Sequence, residues 1–265
     1  LEYSRDGGAY TAIIGGASKD ISGNPPYSHD WSVPDAPSIH VKVKVSNLAD
    51  PDNVYDESPE FTIRGGFVWL DPPPGGGQAY NVNSSKTLRW DTFGSISTVV
   101  VKYSTNLGLD WKPVTAGAIS NQFEQYTWPI PDDIASPVYL RVYDANDQDA
   151  KTDVQNLAIR GTLDITKPDG TEIWKVAETR EITWDRVGNN IGAVVLEYSK
   201  DNGAHYELPN GGTIGTVPAN DRHLNWLIPF EAICPTMLIR IRPGIPAASI
   251  SDVSVPFRIK ANFII

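Results

Sequence analysis

An all-β fold of tandem β-sandwiches in an elongated array is predicted by three observations in the sequence. Pro 21, Gly 22, Trp 8 and Tyr 11 stand beside a single Met, a composition that disfavours helix interiors and favours short aromatic strands closed by turns. Four landmarks recur in one order with a period of about 100 residues, the size of one sandwich module and roughly twice that of a propeller blade. Within the repeated segments apolar and polar residues alternate, as in Val99 to Tyr103 and Leu140 to Tyr143, which is the period of a half-buried strand.

Each repeat is justified element by element. It opens with a strand pair, Trp69 to Asp91 or Leu163 to Asp185. This pair runs from an extended strand through a Pro-Gly turn and an aromatic to a strand ending at Trp90 and Asp91, or at Trp184 and Asp185. A Tyr-Ser strand and turn follows at Leu1 to Tyr10, Val101 to Trp111 and Leu196 to Tyr206, with Asn202 and Gly203 as a hairpin signal. Next comes an aromatic strand ending in proline, at Trp31 to Pro34, Trp128 to Pro131 and Trp226 to Pro229. An alternating strand with a basic outer residue starts at Ile39, Val138 and Met237, and a closing strand starts at Phe61, Leu157 and Phe257. Two packed antiparallel sheets with Greek-key connections are the economical arrangement. The core is expected at Trp31, Trp90, Trp128, Trp184 and Trp226, with Trp90 and Trp184 facing the strands that carry Trp128 and Trp226.

These landmarks divide the chain into residues 1–65, 66–161 and 162–265. No opening strand pair precedes Leu1, and Asn262 to Ile265 matches the start of a further repeat. The expectation is therefore a segment of a longer array: a first module lacking its opening strands, then two complete ones, the last ending in the start of another. The linkers at Arg64 to Gly66 and Arg160 to Thr162 are too short for free tumbling, so a semi-rigid rod is expected.

On these motifs the whole chain resembles the immunoglobulin-like and fibronectin type III-like modules that occur in tandem in large bacterial cell-surface proteins. The opening strands ending in Trp, the Tyr-Ser strand with its Asp and Gly turn, and the Trp-to-Pro strand are similar to repeats of planctomycete-type surface proteins, nearest to a surface-layer protein of an anammox bacterium. The resemblance implies a structural array outside the cell, often glycosylated and often calcium-dependent. It marks a fold better than a function.

Charge and chemistry narrow the function further. Lys and Arg number 22 against 32 Asp and Glu, a net charge of −10 that repels a nucleic-acid backbone or an anionic membrane face. No apolar run approaches the ~20 residues of a membrane-spanning helix. The single Cys234 rules out an intrachain disulfide and reads as a small buried apolar residue. His29, His40, His205 and His223 are scattered and form no zinc motif. Ser199, Asp201, Gly203 and Tyr206 approach the Asp-box of sialidases, while Ser104, Gly108 and Trp111 depart from it at Asn106. That box is a turn device in which Ser and Asp bond backbone amides, so it carries no catalysis, and no enzyme activity is expected.

Two further features leave alternatives open. The acidic loops Ala49 to Glu57 and Asp144 to Asp153 place oxygen ligands at Asp50 and Asp52, and at Asp144, Asn146 and Asp149. These suit either Ca²⁺ or a solvated turn. The third repeat has Pro243 to Asp252 there instead, so no cofactor is required by all repeats. Asn83 heads an Asn-Ser-Ser sequence, a candidate glycosylation site. The function expected is a structural cell-surface protein of the surface-layer type, self-associating outside the cell, with cell-envelope glycans as further candidate partners. The alternative is an adhesin or a carbohydrate-binding accessory of a larger secreted protein, which exposed Trp or Tyr platforms would favour.

Overall fold

The computed structural model describes residues 1–13, 25–244 and 250–262. Among them regular structure is strand, apart from two three-residue 3₁₀ turns. The expected start of a further repeat lies outside the described residues beyond Asn262, as does the middle of the Pro243 to Asp252 loop.

The second repeat is a sandwich of two sheets. Ser85–Phe93 lies between Gly66–Asp71 and Gln125–Pro129 in a three-stranded sheet. The facing sheet runs Lys112–Pro113, Thr98–Ser104, Ala135–Asp144, Lys151–Arg160, Ala79–Asn81. The third repeat repeats the plan. Thr162–Lys167, Thr179–Val187 and His223–Leu227 make the small sheet, and Gly211–Pro218, Ala193–Ser199, Cys234–Pro243, Phe257–Lys260 and Ile173–Lys175 the large one. Between the sheets lie two separate apolar cores, one drawn from residues 67–159 and the other from 163–259.

Burial follows the alternation of the sequence. Val99, Val101 and Tyr103 point inward, as do Val194, Leu196 and Tyr198 in the third repeat, while Lys102 and Lys200 stay at least partly exposed. Trp69 and Trp90 are cross-strand partners with ring centroids 5.9 Å apart in an edge-to-face pair, an arrangement favoured by the aromatic quadrupole. Trp90 Nε1 donates to Asn121 Oδ1 at 2.8 Å and Trp184 Nε1 to the Ala219 carbonyl at 3.1 Å, so neither indole is buried unpaired.

The structure departs from the sequence expectation in three places. The sheets are not purely antiparallel: Ala79–Asn81 pairs parallel with Lys151–Arg160, and Ile173–Lys175 with Phe257–Lys260. After each Pro-Gly turn the chain crosses to the large sheet, and its aromatic, Tyr80 or Trp174, packs on Trp128 or Trp226 at 6.3 or 6.4 Å. The ring neighbours of Trp128 are consequently Tyr80 and Tyr103, with no ring contact to Trp90. Trp31 is only half-buried, and Trp31 to Pro34 is not a strand. Its counterparts Gln125–Pro129 and His223–Leu227 are held by Ser85–Phe93 and Thr179–Val187; the first repeat has no such strand among the described residues, which form one sheet of Thr11–Ala12, Glu2–Arg5, Ser38–Asn47, Asp50–Glu57 and Phe61–Ile63.

Trp184 fills the third core from its central lid strand. Trp184→Ala is expected to destabilise this repeat by about 3–5 kcal/mol through lost transfer energy and an unfilled cavity. Denaturant unfolding followed by site-specific probes in both sandwiches checks this. A loss below ~1 kcal/mol would place the indole outside the core.

Candidate functional site: the joints between repeats

The same arrangement of residues closes both joints. In the first two repeats the Trp stretch ends in Pro34 and Asp35, or in Pro131 and Asp132. Asp35 accepts hydrogen bonds from the Ser95 backbone N–H at 2.6 Å and from Ser95 Oγ at 2.8 Å. Asp132 accepts from the Asn189 backbone N–H at 3.0 Å and from Asn189 Nδ2. Each carboxylate thus holds a turn of the following repeat with both oxygens, and charge-assisted bonds of this kind are stronger than neutral ones.

Glycine makes the approach close enough. Ser95 and Asn189 follow Gly94 and Gly188, whose φ values are 86° and 102°, a region other residues enter only with strain. In the linkers, a Cβ on Gly65 would lie 2.7 Å from Ile96 Cδ1, and one on Gly161 would lie 2.5 Å from the Val187 carbonyl oxygen. Beyond the turn, Ile96 and Ile191 enter the cores of their own repeats, and Ile134 packs against both the second and the third core. Pro37 holds the position of Ile134 at the first joint, 3.2 Å from where a Gly94 Cβ would stand. A cavity of about 570 Å³ lies beside this joint, lined by Pro34, Asp35, Arg64, Gly65 and Phe93 among others.

Arg64 adds a second contact at the first joint. Its Nε donates to Asp147 Oδ2 at 2.6 Å, and Nη2 lies 3.5 Å from Asp149 Oδ2. Burial works against the Asp147 carboxylate, but the hydrogen bonds from Arg64 and from the Asp149 and Ala150 amides outweigh it and hold its pKa below the usual range. The acidic loop therefore gathers around a guanidinium. Asp144 is buried and accepts the Asn146 N–H at 2.9 Å, while Asp149 points to Arg64 and Lys151. The other candidate calcium ligands do not form a loop: Asp50 and Asp52 start the exposed strand Asp50–Glu57, with Asp50 accepting from Asn53 Nδ2 at 2.8 Å. Among the described residues no group of three or more His, Cys, Asp or Glu side chains is placed to hold a metal ion.

The Asp-box turns have matching geometry in two repeats. Ser199 Oγ donates to Asp201 Oδ1 at 2.7 Å and accepts from the Gly203 N–H at 2.9 Å; Ser104 Oγ makes the same two bonds with Asn106 and Gly108, both at 2.9 Å. Asn106 thus replaces Asp without loss of the turn. The aromatic that ends each box is covered by the basic residue of the alternating strand: Arg141 lies 4.1 Å from the Trp111 ring centroid and Arg240 3.7 Å from that of Tyr206. Arg141 pairs with Asp153, and Arg240 with the buried Glu197. Of the remaining candidates, Asn83 is exposed in a turn at φ 63°. Cys234 is buried, its thiol 3.2 Å from the Lys200 carbonyl.

No family model matches the chain, and no curated protein matches it. Similar solved structures are immunoglobulin and fibronectin type III modules. The fibronectin(III)-like modules of Clostridium thermocellum CbhA share 12% identity over 74% of this chain and 94% of theirs, with a TM-score of 0.28. The N-terminal four Ig domains of Dscam1 isoform 6.44 share 8% over 98% of this chain and 64% of theirs, at 0.37. A chimeric titin Z1Z2 tandem shares 12% over 74% of this chain and all of that one, at 0.27. With each score below 0.5, the architecture rests on the sheets and cores described above.

The third-repeat box contains a titratable pair. His205 Nδ1 lies 2.6 Å from Asp201 Oδ2, which raises the His205 pKa above 6.5 and holds Asp201 well below the usual carboxylate range. The folded state binds the His205 proton more tightly than the unfolded chain. Its contribution is therefore complete below pH ~6.5 and lost as pH rises through the folded value. NMR titration is expected to place the His205 midpoint above 6.5, and Asp201→Asn to bring it back down. An unchanged midpoint in that variant would dissolve the pair.

Proposed function

We propose that the chain is a segment of an extracellular structural protein of the surface-layer kind, in which sandwich repeats held end to end extend or tile an array. The observation that carries this reading is the joint itself, built twice from the same Pro-Asp, linker glycine and Gly-turn set at Asp35, Gly65 and Gly94 and at Asp132, Gly161 and Gly188. Short linkers with dedicated contacts suit load-bearing or lattice geometry, whereas freely moving modules need neither. The surface-layer assignment is supported by the sequence resemblance. Further copies of the protein are its proposed partners, with envelope glycans as the proposed anchoring ligands.

The carbohydrate-binding alternative would need open aromatic platforms. Six of the eight Trp are buried, Trp31 and Trp111 are half-buried, and Trp111 lies under Arg141. Antibody labelling of source cells in thin section is expected to give dense, continuous decoration of the outer envelope. Sparse or interior label would overturn the proposal. At the level of the joint, Asp35→Ala and Asp132→Ala should broaden the distribution of end-to-end dimensions in solution scattering while leaving each sandwich's own unfolding transition nearly unchanged. Equal distributions for wild type and variants would show that the joint does not stiffen the chain.

A further inference from the structure

We infer that the first joint is a hinge held closed by a guanidinium–carboxylate latch, whereas the second is fixed by an aliphatic side chain shared between two cores. With the latch released, the second and third repeats turn as one body against the first. The difference shows position by position. At the second joint Ile134 packs against both neighbouring cores. Its Cδ1 comes within 2.7 Å of the place where a Gly188 Cβ would stand. At the first joint the same position is Pro37, a compact ring without the branched reach of isoleucine, 3.2 Å from the corresponding point at Gly94. The Asp35 and Asp132 clamps are common to both joints, so they do not account for the difference.

The arginines before the linkers show the reverse pattern. Arg64 reaches across to the acidic loop of the second repeat, with Nε 2.6 Å from Asp147 Oδ2 and Nη2 3.5 Å from Asp149 Oδ2. Lys151 flanks Asp149 at 3.6 Å. Arg160 holds the equivalent place at the second joint, but among the described residues its Nε is buried without a hydrogen-bond partner. The third-repeat loop that corresponds to the acidic one, Pro243 to Ser251, contains no Asp or Glu. Asp252, which follows it, accepts the Ile165 N–H at 2.7 Å. The Arg64 and Asp149 side chains are 42% and 70% exposed, and ion pairs open to water contribute less than burial of a branched aliphatic chain. The first joint is therefore the one that releases.

The first linker also has the freedom to bend. Residues 64–66 read Arg-Gly-Gly, where residues 160–162 read Arg-Gly-Thr. Gly65 and Gly161 are required by close packing, since a Cβ on either would lie within 2.7 Å of a neighbouring atom. Gly66 is not so required: a Cβ there would meet nothing nearer than Phe93 Cδ2 at 4.0 Å, and Thr162 occupies the same position in the second linker. A glycine that the closed geometry does not need leaves backbone freedom for an open one. This latch deepens the array reading and rests on the joints stiffening the chain. If loss of the Asp35 and Asp132 clamps leaves the chain's dimensions unchanged, the stiffening itself falls; if the clamps matter and the latch residues do not, only the latch falls.

The test is the distribution of spin-label distances in the whole 265-residue protein, measured by pulsed dipolar spectroscopy. Labels on cysteines at the exposed positions Asp52 and Gln122 span the first joint, and labels at Gln122 and Asn225 span the second, while Cys234 is buried. Arg64→Gln is expected to broaden the first distribution at least ~1.5-fold and to leave the second unchanged, as release of a single hinge requires. Asp147→Asn with Asp149→Asn breaks the same contact from the other side, keeps the loop's acceptor oxygens, and should give the same broadening. All three substitutions together should broaden it no further, because both sides remove one interaction. Arg160→Gln is expected to leave the second distribution as it was. Gly66→Thr, added to Arg64→Gln, should recover at least about half of the lost narrowness by restricting the backbone. An unchanged first distribution in the Arg64 and Asp147/Asp149 variants would overturn the latch, as would additive effects of the two sides or equal broadening of the second joint by Arg160→Gln. Failure of Gly66→Thr to narrow the first distribution would overturn the hinge.

Discussion

A strand with one apolar face is stabilised by having that face covered, and the large sheets of the second and third repeats each have three such strands side by side. In the second repeat the inward residues Val99, Val101, Val138, Leu140, Val142 and Val154 are all closed off from water. Leaving a single such side chain exposed forfeits about 1.5–3 kcal/mol, so the sheet alone is not a stable object. The small sheet serves as its lid, and the indoles of Trp69 and Trp90 give the lid its depth. The parallel crossover strand follows from the same need. It seals the last edge of the large sheet and adds Tyr80 or Trp174 to the ring cluster at Trp128 or Trp226.

The joints are built from the ends of these lids. Ile96 and Ile191 belong to the cores of their own repeats, yet the Gly94-Ser95 and Gly188-Asn189 turns just before them sit against the preceding repeat. Contact between repeats is thus fixed by residues that cannot move without disturbing a core. Ile134 extends this by touching both cores. The third repeat has Phe230 where the first two have Asp35 and Asp132, and that phenyl ring is largely exposed. A phenyl ring cannot accept a hydrogen bond from a backbone amide as a carboxylate does, so Phe230 cannot make the contact that Asp35 and Asp132 make.

The outer faces are organised by charge rather than by burial. Trp111, Arg141 and Asp153 form one stack, and Tyr206, Arg240 and Glu197 another, each bracing the aromatic that ends an Asp-box turn. The result is that the planes of Trp111 and Tyr206 are each covered by a cation of the same repeat. Stacking an arginine that is also held by a carboxylate fixes its geometry and leaves fewer planes open to a ligand.

By itself the sequence determined the all-β class, the repeat period, the alternation that sends Val101 and Leu140 inward, and the Ser-Asp-Gly turn, because each depends on residues near in sequence and on side-chain period. Tertiary structure alone decided the rest. The partners of Asp35 and Asp132 lie about 60 residues further on in the next repeat, and no local pattern distinguishes a clamping Pro-Asp from an ordinary turn. The carboxylates of the acidic loop are close in sequence and legible there, but the pairing of Asp147 and Asp149 with Arg64, from the preceding repeat, is set only by the tertiary structure. The parallel crossover was likewise hidden, since Ala79–Asn81 reads as any short strand until the Lys151–Arg160 edge is in place to receive it. Trp31 shows the limit most plainly. Its motif matches that of Trp128, but burial is a property of what lies opposite, and only the assembled sheets specify that.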